Sequence, residues 1–145
     1  MNLVKLNQRA IDTALKNVSM EIIKQIRTNT AKGIDVEGSA FADYSPAYAA
    51  AKSALNTSKR KARSGKSRYT GTVNLSLSGK MLRSIHATKK GDHYEITFSD
   101  KDRALIAYAH NEGNGQPKRE FFGVSDANRT LFFNKYFAVP MLVKA

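Results

Sequence analysis

The chain has 145 residues, with 24 Lys and Arg against 12 Asp and Glu, a formal net charge of +12 and no cysteine. That length suits one domain, residues 1–145, around a single core, because two independent domains of half the size would each be marginal. The lack of cysteine excludes disulfides and thiolate metal sites, and no apolar run approaches the ~20 residues of a membrane-spanning helix.

The opening MNLVKLNQRA has neither an apolar leader core nor a small-residue cleavage site, so a soluble protein of a cytoplasmic assembly compartment is expected. Val4, Ile11, Leu15, Val18, Ile22 and Ile26 recur at steps of mostly three and four, with Lys5, Arg9, Lys16 and Lys24 elsewhere. This pattern predicts an amphipathic helix from about Leu3 to Asn29, ending before Gly33. At ~1.5 Å per residue it would span about 40 Å, long for so small a domain.

GIDVEGSAFADYSP reads as turn and extended chain, anchored by Phe41, Tyr44 and Tyr48; Pro46 discourages helix at Ser45. Ala47 to Leu55 is Ala-rich and predicts two helical turns with Ser45 as N-cap. Residues 56–72 have no apolar period and are expected to form a disordered, mobile basic loop.

Order returns at LSGKMLRSI, Leu77 to Ile85, where Ser78 is positioned to cap a short helix with Met81, Leu82 and Ile85 on one face. Two strands follow around a Gly91-Asp92 turn, with Tyr94, Ile96 and Phe98 alternating against Glu95 and Thr97. Asp102 begins a helix carrying Leu105, Ile106, Tyr108 and Ala109 and ending at Gly113. REFFGV reads as a further strand. Ser125 or Asp126 then caps a last helix holding Leu131, Phe132 and Tyr136, which must bend or end before Pro140. The predicted class is α+β: a small antiparallel sheet flanked by the long first helix and by shorter helices.

The excess charge has a location. Between Tyr44 and Gly91 there are eleven Lys and Arg and no acid, and Lys59, Arg60, Lys61, Arg63, Lys66 and Arg68 lie close together. Such a cluster attracts phosphates or an acidic partner, in a salt-dependent way; its bland alternative is a solvated loop whose like charges repel.

Conventional catalytic patterns are missing. The three histidines, His86, His93 and His110, lack the helical pair of a zinc protease. His110-Asn111-Glu112 has a deaminase's His-x-Glu without its paired cysteines. Gly79-Lys80 lacks the upstream glycine of a phosphate loop, and no serine stands in a nucleophile elbow. No catalytic residue, metal ligand or cofactor is therefore assigned. Two other classes stay open. One is a basic nucleic-acid-binding module, although Tyr44, Tyr48 and Tyr69 make a sparse stacking platform. The other is a small metal-independent ribonuclease toxin acting through Tyr108, His110 and Arg119, against which Tyr108 would simply pack and Arg119 pair with Glu112 or a neighbour.

Three ordered segments, LSGKMLRSI, YAHNEG (Tyr108 to Gly113) and KREFFG (Lys118 to Gly123), follow GIDVEGSAFADYSPAY. In this order the chain resembles the phage virion morphogenesis family, the tail-completion or head–tail joining proteins of tailed bacteriophages and prophages. The matching positions are Asp35, Gly38, Phe41, Ser45, Pro46 and Lys52. They continue with Leu75 or Leu77, Gly79, Met81, Ser84 and Ile85, then Tyr108, Ala109 and Gly113, and last Arg119, Phe121 and Gly123. The resemblance covers about Gly33 to Gly123. Met81 replaces a usual leucine, Lys118 stands where proline is common, and the chain beyond Ala127 is unfamiliar.

The resemblance implies a non-enzymatic virion protein of the neck, present in the host cytoplasm during assembly and a ring-like homo-oligomer in the particle. Its implied partners are a phage connector or head-completion protein and a tail terminator or tube protein. Contact of the basic loop with packaged DNA is a further implication, and no membrane is involved. Glu112 and Arg119 are the candidate subunit-interface pair.

Overall fold

The computed structural model describes residues 4–56, 71–75, 79–137 and 142–144. Strand β1 (Val4–Leu6) leads into helix α1 (Gln8–Lys32), followed by α2 (Pro46–Asn56) and a single turn of helix, α3 (Lys80–Arg83). The hairpin β2 (Ile85–Lys90) and β3 (His93–Phe98) comes next, then α4 (Lys101–Glu112), α5 (Asp126–Phe137) and β4 (Leu142–Lys144). The class is α+β: β2 and β3 pair antiparallel with Ile85 opposite Phe98, and β1 pairs antiparallel with β4.

Helix α1 starts later than its periodicity suggests. Val4 belongs to β1, whose partner lies at the far end of the chain, and Asn7 caps the helix by accepting from the Ala10 N–H at 3.2 Å. The buried face is Ala14, Ser19, Ile23, Ile26 and Thr30, rotated from the apolar stripe; Ile11, Leu15, Val18 and Ile22 flank it half-buried. Ser19 and Thr30 fit this face because their hydroxyls donate back to the carbonyls of Leu15 (2.8 Å) and Ile26 (2.7 Å). Gly33 ends α1 at φ 76°, and a Cβ there would lie 2.7 Å from Thr72 Cγ2. Both the backbone angle and the space require glycine.

The core gathers Ile23 and Ile26 of α1 with Phe41, Val73, Leu75, Met81, Ile85, Ala107 and Phe121. Arg27 fastens α1 to α3 and to the start of the hairpin, donating from Nε to the Leu82 carbonyl (3.1 Å) and from Nη2 to the Ile85 carbonyl (3.0 Å). Glu21 fastens it to α5, accepting from Lys135 Nζ (2.7 Å) and the Tyr136 hydroxyl (2.9 Å).

Four expectations need correction. Ser78 lies outside the described residues, and the N-cap position of α3 is Gly79, at φ 70° with no capping side chain. Ile85 leaves that turn and opens β2. REFFGV forms no strand, because its backbone partners are scattered: Arg119 N–H donates to the His110 carbonyl, Val36 N–H to the Glu120 carbonyl and Phe122 N–H to Asn111 Oδ1. Finally, α4 buries Ala107 and turns its large apolar residues outward, Leu105 at 68% and Tyr108 at 60% exposed. Tyr108 therefore does not pack inside. Helix α5 behaves likewise, burying Phe132 while Leu131 and Phe133 stay 59% and 57% exposed.

Candidate functional site

The segments that carried the resemblance meet around Tyr44. Ser45 caps α2, its Oγ accepting from the Tyr48 N–H at 3.3 Å, and Pro46 takes the first helical position. Two turns on, Lys52 faces inward and is only 3% exposed. Its Nζ donates to the Tyr44 hydroxyl at 3.0 Å and to Asn74 Oδ1 at 2.9 Å. The Leu75 N–H donates to the same hydroxyl at 3.0 Å, with Leu75 itself in the left-handed region at φ 48°.

Arg119 closes the other side of the ring. It is also 3% exposed, and it donates from Nε to the Ala42 carbonyl (2.8 Å) and from Nη2 to the Asp43 carbonyl (2.7 Å). Its guanidinium carbon lies 5.1 Å from the Tyr44 ring centroid, and Lys52 Nζ lies 4.6 Å from it. One aromatic ring thus serves two buried cations, whose polar atoms are met by neutral oxygens. Burial pushes the Lys52 ammonium down to about 8, because taking the amine out of water disfavours its charged form.

Beside this cluster opens a cavity of about 540 Å³. Arg103, Ile106 and His110 line it from α4, at i, i+3 and i+7 and so on one helical face. Tyr44, Tyr48, Leu75 and Met81 give it aromatic and apolar walls, and Lys80 and Arg119 add charge. No Asp or Glu is among the described residues that line it. Two buried nitrogens on its α4 wall, Arg103 Nε and His110 Nδ1, have no hydrogen-bond partner among the described residues. Asp100 Oδ2 stands 3.8 Å from Arg103 Nε, close enough for attraction and too far for a hydrogen bond. Burial lowers the His110 pKa, and the nearby charges of Arg119 and Lys52 lower it further. The arrangement offers N–H donors and positive potential to an anion with an apolar body.

The residues singled out from sequence fare unevenly. Lys59, Arg60, Lys61, Arg63, Lys66 and Arg68, and most of the loop expected over 56–72, lie outside the described residues; Asn56 ends α2. Arg119 is no exposed rim residue: its donors are committed to the Ala42 and Asp43 carbonyls inside the fold, whereas Glu112 is exposed at the end of α4. The ion pair in that region joins Lys118 to Glu120 at 2.9 Å. Nor do Tyr108, His110 and Arg119 converge, since the last two line the cavity and Tyr108 points to solvent. Among the described residues, no three His, Asp or Glu gather as a metal ion would need, and no helix is long and apolar enough to cross a membrane.

Sequence reasoning missed Asn74 and Arg103 altogether. The available signal was Lys52, a lone charge in an Ala-rich helix eight residues after Tyr44, which needed a polar partner from elsewhere once that helix packed. Compared with protein-family models, with curated proteins and with solved structures, the chain matches none of them.

Proposed function

We propose that this protein is a non-enzymatic structural component of a tailed phage or prophage particle, completing the tail and joining it to the head at the neck by ring-like self-association. The observation that carries the reading is the outward placement of Leu105 and Tyr108 on α4 and of Leu131 and Phe133 on α5. Covering a large apolar side chain is worth ~1.5–3 kcal/mol, so faces of this kind favour contact with a second copy or a neighbouring ring. The motif order that resembles the virion morphogenesis family lends further support, because residues of those segments, Gly79, Lys80, Met81, His110 and Arg119, line one cavity with Tyr44. In this reading the partners are a connector or head-completion protein on one side and a tail terminator or tube protein on the other. The basic stretch from Lys59 to Arg68 grips an acidic partner surface or the DNA in the neck.

Electron microscopy of a lysate made with this gene stopped early tests the reading. DNA-filled heads beside separate, full-length tails are expected. Intact infectious particles would overturn it and turn attention to nucleic-acid binding and toxicity.

A further inference from the structure

We propose that the cavity between α4 and the Tyr44 cluster is a receptor for a short extended polypeptide segment bearing a carboxylate between apolar or aromatic side chains. The inference stands on the cavity alone and does not depend on the protein's place in a particle.

Size is the first argument. About 540 Å³ falls within the range of pockets that enclose small ligands and short side-chain groups. Charge is the second: Arg103, Lys80 and Arg119 line the cavity, and these positive groups outnumber the carboxylate beside them, Asp100, whose Oδ2 stands 3.8 Å from Arg103 Nε. Cations gathered in a partly enclosed space repel one another, and an anion entering among them relieves that repulsion. Geometry is the third. Arg103 and His110 each present a buried N–H-capable nitrogen without a partner among the described residues, and such groups are costly to leave unmet.

The spacing on α4 selects the ligand's shape. Arg103 and His110 are seven residues apart on one helical face, hence about 10 Å along the axis, with Ile106 between them. An extended chain covers that distance in about three residues. A carboxylate at Arg103 suits the planar fork of the guanidinium, which takes two carboxylate oxygens at once. A backbone carbonyl at the other end accepts from the His110 Nδ1–H tautomer. Between them, an apolar side chain meets Ile106 and Met81, and an aromatic one meets Tyr48, whose ring already lies edge-on to Tyr44 at 4.9 Å. A free phosphate would use the charge but leave these walls uncovered.

The probe is the blocked pentapeptide acetyl-Ala-Phe-Glu-Phe-Ala-amide, titrated into the full chain while the tyrosine and histidine resonances are followed by NMR. Saturable binding is expected in the low-millimolar range or tighter, with shifts at Tyr44, Tyr48 and His110. The glutamine version of the peptide, and the Arg103→Gln protein with the original peptide, are each expected to bind at least roughly tenfold more weakly. Near-ultraviolet circular dichroism of the variant should match the parent. Equal affinity for the two peptides, or no saturable shift, would overturn the proposal with no variant needed. Inorganic phosphate binding more tightly than the peptide would overturn it in favour of a simple anion site.

Discussion

The Tyr44 cluster and the outer faces of α4 and α5 invert the usual distribution of side chains. Around Tyr44 the molecule buries a lysine and an arginine, while on α4 and α5 it leaves leucine, tyrosine and phenylalanine in solvent. The difference teaches which task each region performs. The buried cations are ties: Lys52 joins α2 to Tyr44 and Asn74, and Arg119 joins the segment after α4 to the carbonyls before α2. The exposed apolar groups do no such work among the described residues: the ring contact they make is local, Phe133 stacking on Phe137 of the same helix at 4.8 Å. A cation can make several directed hydrogen bonds between segments too polar or too irregular for a sheet. An apolar side chain left outward contributes only when a neighbour covers it.

The contrast is broken most severely by Arg119→Ala. That variant removes both donors from the Ala42 and Asp43 carbonyls and empties the space beside the Tyr44 ring, so a loss of about 3–5 kcal/mol in urea unfolding is expected. A loss under about 1 kcal/mol would show that the arginine is a passenger.

Lys52 sharpens the contrast through pH. Its folded-state pKa, lowered from 10.5 to about 8, means that between those values the unfolded chain binds the proton and the folded chain does not. Stability from this group therefore rises as pH climbs from about 8 to about 10.5, by on the order of 3 kcal/mol in all. Lys52→Met abolishes that rise. The opposing losses from Lys89, Lys118 and Lys135, whose pKa values are raised by partners, occur in both proteins and cancel in the difference. A stability difference between wild type and Lys52→Met that stays flat from pH 7 to 11 would contradict the assignment.

Tyr44→Phe is gentler. It keeps the ring beneath the two cations and removes the hydroxyl that accepts from Lys52 and Leu75, so a cost of ~1–3 kcal/mol is expected by the same unfolding assay.

The hairpin was legible because Tyr94, Ile96 and Phe98 alternate against polar neighbours on either side of a glycine turn, and local alternation is what a half-buried strand needs. The end of α1 was legible for a similarly local reason, the left-handed angle at Gly33. Its start was not, since Val4 finds its partner only at Lys144, and a pairing across the whole chain leaves no local pattern. REFFGV carries a strand's alternation, with Arg119 and Phe121 buried and Glu120 exposed, yet its backbone bonds go to a helix end and a turn. The sequence places Leu105, Ile106, Tyr108 and Ala109 on α4 without marking the face that is buried, and only tertiary packing decides that Ala107 faces the core. The cavity was least legible: Tyr44, Lys52, Asn74 and Arg119 are separated by up to 75 positions in sequence, and a buried lysine reads on paper like a solvated one.

The smallest effect on folding should accompany the largest on assembly. Glutamate at Leu105 replaces a side chain already in solvent, so stability should change by no more than about 0.5 kcal/mol there. At Phe133 it also removes the stacking on Phe137, so a loss of about 1 kcal/mol is expected. The measurement that tests the account most directly is complementation of the stopped gene by Leu105→Glu/Phe133→Glu, with the lysate viewed by electron microscopy. Filled heads and free tails from a normally folded variant are the predicted result. Joined, infectious particles at the wild-type yield would contradict the claim that these outward apolar faces are the joints.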